Sequence, residues 1–208
     1  YRRPDVQDTW HIIHPDLRQY IIFVVRPEEA KEIAERYAPS QVDVLPPTVL
    51  DIMATRQYIW DKYSKACDYF FQLDDDIGYF AHNELVNEPT RKYRSTYLAA
   101  KRSPRSQFSG TATANQQRMM FNRLIAELST GVGMTSPRPN WVFPASDKNY
   151  PSMPNVLVTG FYAFNAKLLR DLPIRFNDWA SCGDTNACLD VLAHGIQCTY
   201  CTDYFYNI

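Results

Sequence analysis

The sequence predicts an α/β fold: a mostly parallel sheet flanked by helices, in a single domain. Three observations carry that expectation. Apolar runs at 19–25, 42–45 and 68–73 alternate with amphipathic stretches, so the first third reads β-α-β-α-β. The first of these runs, Gln19 to Val25, is continuous rather than alternating, as in a strand buried on both faces. And 208 residues, 45% hydrophobic and 22% charged, suit one domain with a sizeable core rather than a disordered chain.

The elements follow in order. Arg26-Pro27-Glu28-Glu29 places proline and acids where a first helical turn favours them, opening a helix over 28–37. Val42 to Leu45 is a short strand closed by Pro46-Pro47, and Thr48 can cap a helix running to Tyr63. Asp68 to Leu73 is a third strand that runs into Asp74-Asp75-Asp76. Residues 83–114 are polar and basic without a period, which reads as a long loop with a short helix near 97–101. Met120, Leu124, Ile125 and Leu128 mark a helix over 116–128, and Val132 to Thr135 a strand. Five prolines make 136–154 irregular; Val156 to Gly160 reads as a strand leading to Phe161–Phe164, and 166–171 as a short helix. The last helix runs from Asp184 as cap to Gly195 as stop, and 196–200 closes the chain as a strand.

Composition limits the function. Net charge is −1, which by itself argues against a generic polyanion binder. The total conceals segregation: 68–88 hold six acids and no Lys or Arg, whereas 91–105 hold six bases and no acid. No apolar run reaches the ~18–20 residues that span a bilayer, so no membrane partner is expected. The opening residues show no leader-like apolar stretch, and the lack of an initiator Met fits a fragment or processed product. Of five cysteines, Cys182, Cys188, Cys198 and Cys201 crowd the last quarter around His194. One C-x-x-C without a second is a thin basis for zinc; free thiols in a reducing compartment are the simpler expectation.

The acidic triplet carries the chemistry. Ligands of α/β sheets bind beyond the carboxyl ends of strands, and Asp74-Asp75-Asp76 stands there. Three adjacent carboxylates repel one another, and a hard divalent cation, Mn²⁺ or Mg²⁺, would relieve this while leaving sites for phosphate oxygens. If the backbone stays extended, Asp74 and Asp76 face one ligand and Asp75 turns aside. A solvated, helix-capping turn is the plainer alternative. Arg56 falls, at about 100° per residue, on the apolar face of the 48–63 helix with Ile52, Met53, Ile59, Trp60 and Tyr63. An inward arginine needs an anion, either a bound diphosphate or a structural carboxylate, unless it snorkels past its neighbours.

Taken in order, these parts resemble a GT-A glycosyltransferase over about 19–205. Ala54-Thr55-Arg56 is similar to the A-x-R segment of family 2 enzymes, and Leu73-Asp74-Asp75-Asp76 to their D-x-D. Gly160-Phe161-Tyr162-Ala163-Phe164 resembles the strand under the acceptor site, and Gly183-Asp184 with Leu189 and Gly195 resembles the start of their E-D helix. Within that superfamily the chain most resembles the TET-associated glycosyltransferases of bacteriophages, thought to add sugars to hydroxymethylated pyrimidines in DNA.

The resemblance implies a donor half over 1–114 and an acceptor half over 115–208. Arg26 and Asp43 would line the nucleobase and ribose pocket, Arg56 would meet the diphosphate, and Asp74 and Asp75 would border the donor. Asp74 and Asp76 would hold Mn²⁺ or Mg²⁺, and Asp184 would be the general base; Gly160 and Tyr162 would lie at the acceptor. It also implies a nucleotide-sugar donor, UDP-sugar favoured, and a cytoplasmic setting, the host's if the chain is phage-encoded. Two departures stand out: the Glu usual before the base is Gly183, and no later metal-binding His follows His194.

The chemistry agrees independently of the family. A metal and an arginine stabilise a leaving diphosphate, a carboxylate takes the proton of an acceptor hydroxyl, and in-line displacement inverts the anomeric centre. Asp184 also suits a plain N-cap, and the two roles are compatible. Arg91, Arg94, Lys101 and Arg102, interleaved with Tyr93 and Tyr97, would suit phosphates and stacked bases of a DNA acceptor; a solvated loop or a lid over the donor explains the same run. Nucleotidyl or phosphoryl transfer, and a non-catalytic binding module on a degenerate fold, are the competing functions; no P-loop is present.

Overall fold

The computed structural model describes residues 7–37, 41–87, 92–100, 114–139, 152–176 and 183–207. Two short helices open it, α1 (Asp8–Ile12) and α2 (Pro15–Arg18). Neither is long enough to show a period in sequence. Pro15 at the start of α2 and the His14 ring accepting from Asp16 N–H fix the second.

β1 (Ile22–Val25) and β2 (Gln41–Val44) flank α3 (Ala30–Tyr37) and pair in parallel, as the β-α-β pattern predicts. Trp10, Phe23, Val25, Ile33 and Tyr37 form their shared core. Next come α4 (Ile52–Ala66) and β3 (Tyr69–Leu73). Asp51, not Thr48, caps α4, accepting from Ala54 N–H at 2.8 Å. The buried stripe of α4 is Arg56, Trp60 and Ser64, spaced by four, so Arg56 does face inward.

The remaining elements are β4 (Tyr79–Asn87), β5 (Lys92–Ala100), α5 (Ala114–Ser129), β6 (Met134–Pro139), β7 (Ser152–Pro154), β8 (Phe161–Asn165), α6 (Ala166–Leu169), α7 (Gly183–Ala193) and β9 (Cys198–Asn207). Together with β3 they build a seven-stranded sheet in the order β3-β8-β6-β9-β4-β5, with β7 on β9. This sheet is mixed, which corrects the mostly parallel expectation. Among the described residues only β6 and β9 run parallel within it; β8 lies antiparallel to β3 and β6, and β4 antiparallel to β5 and β9. The continuous 19–25 run does not give a strand buried on both faces either, since only Phe23 and Val25 of β1 are buried. β8 is fully buried while antiparallel, so an apolar run does not fix strand direction.

The loop expected over 83–114, with its short helix near 97–101, is corrected where residues are described: Tyr79–Asn87 and Lys92–Ala100 are antiparallel strands, and 88–91 and 101–113 lie outside the described residues. An antiparallel pair far along the sheet order tolerates polar residues, and Tyr93, Thr96 and Tyr97 are good strand formers. β6 continues through Pro137 and Pro139 into the stretch read as irregular, with a register shift between Pro137 and Arg138. The strand expected at 156–160 begins instead at Phe161, because Gly160 sits at φ 65° and breaks the extended backbone just before it.

Two layers of helices cover this sheet. Ile12, Ile13 and Leu17 with Met120, Leu124 and Leu128 of α5 pack on Phe161 and Ala163. Trp60, Leu169, Ala187, Cys188 and Val191 pack on the opposite face against Tyr162 and Phe164. The alternation of β8 thus feeds two cores from one strand. β3 pairs with β8 and β4 with β9, so the two expected halves share one sheet.

Candidate active site

Strand β3 ends at Leu73, and the chain turns at Asp75 and Asp76. The rule of alternating side chains therefore stops at Asp74, and it is the turn, not a pleat, that sets Asp76. Asp74 N–H donates to the Gly160 carbonyl at 2.9 Å, which ties the turn to the residue that precedes β8. On its other side the turn meets α1: Thr9 N–H donates to the Asp75 carbonyl at 3.1 Å, and the Thr9 hydroxyl donates to the Asp74 carbonyl.

Arg56 supplies the cation. Its Nη2 donates to Asp74 Oδ1 at 3.0 Å and Oδ2 at 3.1 Å. The guanidinium carbon lies 5.3 Å from the ring centre of Tyr162, which is fully buried and stacked on Phe164. Arg56 is 6% exposed. Of the partners open to an inward arginine, the structure shows the carboxylate. Arg56, Asp74, Gly160 and Tyr162 are thus brought together across α4, β3 and β8. Tyr162 lies beneath the ion pair as its floor.

Asp43 is held by α4 as well. Lys62 Nζ donates to Oδ1 at 2.6 Å, Tyr58 OH to Oδ1 at 3.1 Å, and Tyr63 OH to Oδ2 at 2.8 Å. Burial pushes the Asp43 carboxyl up, but the bonds from Lys62, Tyr63 and Tyr58 outweigh it and leave the group below the ordinary carboxylate value. Lys62 is raised by its bond to Asp43, and Tyr63 is raised by burial and then by Asp43. Tyr58 and Lys62, four apart on α4, carried no sequence signal beyond that spacing. Arg26 follows β1; its Nη2 donates to the Leu50 carbonyl at 2.7 Å, just ahead of α4. Helix α4 therefore holds the carboxylates of β2 and of the turn after β3, and the residue after β1 bonds the segment that leads into it.

Asp184 is the second residue of α7, one position inside the helix rather than its cap. Arg94 lies in β5. Arg91, Lys101, Arg102 and Cys182 lie outside the described residues. Cys67, Cys188, Cys198 and Cys201 are free thiols, the last three buried; burial pushes Cys201 up to about 12. Among the described residues no group of three or more His, Cys, Asp or Glu is placed to hold a metal. No helix of the described residues is long and apolar enough to cross a membrane.

Strand β3 of a mixed sheet thus ends in clustered carboxylates, one of them paired with a buried arginine, a place where α/β sheets commonly bind ligands. Residues 9–207 match the model of the TET-associated glycosyltransferase family, and the chain belongs to that family. It is a glycosyltransferase, with a sugar donor and an acceptor. A search of curated proteins gave no match.

Proposed function

We propose that the chain is a metal-dependent, inverting glycosyltransferase of the GT-A type. It moves a sugar from a nucleotide donor, UDP-sugar favoured, to the hydroxyl of a hydroxymethylated pyrimidine in DNA. The observation that carries this reading is the Arg56–Asp74 pair on a turn anchored at both sides, in a chain of this family. The donor set fits a hard cation. Mg²⁺ and Mn²⁺ take one or two carboxylates and complete their shells with phosphate and water, so three protein ligands are not required. A carboxylate offers about four lone-pair positions, so Asp74 can serve Arg56 and an ion together.

Asp74 and Asp76 would hold Mn²⁺ or Mg²⁺, which would neutralise charge on the departing diphosphate. Asp75 and Arg26 border the donor; Arg56, within the same site, adds fixed positive charge for the leaving group. Asp184 takes the proton from the acceptor hydroxyl as its oxygen bonds the anomeric carbon and the bond to the diphosphate breaks. Asp184 falls in the first turn of α7. Lys92 and Arg94 fall on β5, at the end of the sheet order, where basic residues suit the phosphates of a DNA acceptor.

UDP with Mn²⁺ is expected to raise the melting temperature, and Asp76→Ala to abolish the rise. A wild-type protein that shows no shift with any nucleoside diphosphate and metal contradicts the reading.

A further inference from the structure

Thr9 stands 65 residues before Asp74 in the chain, yet touches the acidic turn three times. Its hydroxyl donates to the Asp74 carbonyl and accepts from Ile77 N–H at 3.0 Å. Its own N–H donates to the Asp75 carbonyl at 3.1 Å. A hydroxyl has one proton to give and lone pairs to receive, and both capacities are used here. Ile77 is fully buried, so bulk solvent does not reach that N–H. The far side of the turn is fixed independently, by Asp74 N–H on the Gly160 carbonyl at 2.9 Å and Gly78 N–H on the Asn207 carbonyl at 2.7 Å.

Helix α1 is itself anchored. Buried Gln117 of α5 donates to the Ile12 carbonyl at 2.7 Å and accepts from His14 N–H at 2.8 Å. Trp10 packs edge-on against Phe23, 5.2 Å between centroids. The hydroxyl therefore reaches the turn from a rigid support.

We propose that Thr9 is a positioning residue: its hydroxyl closes the 74–77 turn and so holds the Asp74 and Asp76 backbones where their carboxylates receive a divalent cation. This rests on the reading of the turn as the metal-bearing edge of the donor site. Groups that orient metal ligands without touching the ion typically govern affinity by about 10- to 100-fold.

The test is a titration of Mn²⁺ followed by its electron paramagnetic resonance signal, in the presence of UDP, on wild type, Thr9→Val and Thr9→Ser. Circular dichroism checks that each variant is folded. Thr9→Val keeps shape and the backbone N–H bond but removes the hydroxyl; it is expected to weaken Mn²⁺ binding by about tenfold or more. Thr9→Ser restores the hydroxyl and is expected to bind as wild type does. A purely structural role would lower the melting temperature and leave the affinity of the folded protein unchanged, and that result overturns the proposal. If the wild type itself binds no Mn²⁺ with UDP, the metal-dependent reading fails, a separate outcome. Should Thr9→Val not fold, hydrogen exchange of the 74–78 segment in the wild type decides. Mn²⁺ with UDP is expected to slow exchange at Ile77 N–H, because coupling between clamp and site is reciprocal; unchanged exchange overturns the proposal.

Discussion

Asp43 presents a carboxylate at the end of β2, and α4 takes both of its oxygens through Tyr58, Lys62 and Tyr63. The charge helps to hold the helix that carries Arg56. Its pH dependence follows from the depressed value of the group. A carboxyl held below its unfolded value of about 3.9 stabilises the fold fully above that pH, and the contribution disappears as pH falls through the folded value. Asp43→Asn is expected to cost about 1–2 kcal/mol at neutral pH, modest because Lys62 is half exposed. Urea midpoints measured from about pH 7 into acid check this: the gap between the two proteins should begin to narrow as pH falls below about 3.9. A constant gap would show that the charge is not what stabilises. Lys62 has the opposite sign. Its raised value keeps its share present below the ordinary lysine value, to be lost only as pH rises through the folded one.

Close packing around the start of β6 gives a prediction at the scale of elements. A Cβ at Gly133 would lie 2.8 Å from Ile196 Cγ2 and from Val191 Cγ1, and 3.1 Å from Leu169 Cδ2. Two of these atoms belong to β-branched side chains with little freedom to move. Gly133→Ala should therefore destabilise by about 1–3 kcal/mol, read from the urea midpoint. A neutral result would mean that α7 and the 195–197 turn yield more easily than their packing indicates.

Elements with a clear period were legible in sequence: β1, α3, β2, α4, β3, α5 and α7 all appear near their expected places. What escaped depends on partners far along the chain. β4 pairs with both β5 and β9, β5 pairs with β4, and β6 carries prolines through a register shift. The site divides the same way. Arg56 on the inner stripe and Asp74 at a strand end follow from local pattern, whereas Thr9 acts across 65 residues with no signal at all. Tyr63 was read as an apolar side chain; its hydroxyl turned out to hold Asp43.

At the scale of the molecule, the sheet makes the site. β3 brings the acidic turn, β8 brings Gly160 and the Tyr162 floor, and α4 crosses both with Arg56. The near-zero net charge is the sum of an acidic block that contains this turn and a basic block that includes Lys92 and Arg94 of β5. One suits a cation and the other suits phosphate. The family match over 9–207 makes the chain a glycosyltransferase.

Mass spectrometry of hydroxymethylated DNA, incubated with the protein, Mn²⁺ and a panel of sugar nucleotides, tests this most directly. The account predicts a sugar mass increment on the modified pyrimidine, absent with Asp76→Ala, and absent with Asp184→Asn although that variant still binds UDP with Mn²⁺. Unmodified DNA with every sugar nucleotide, or full transfer by both variants, would contradict it.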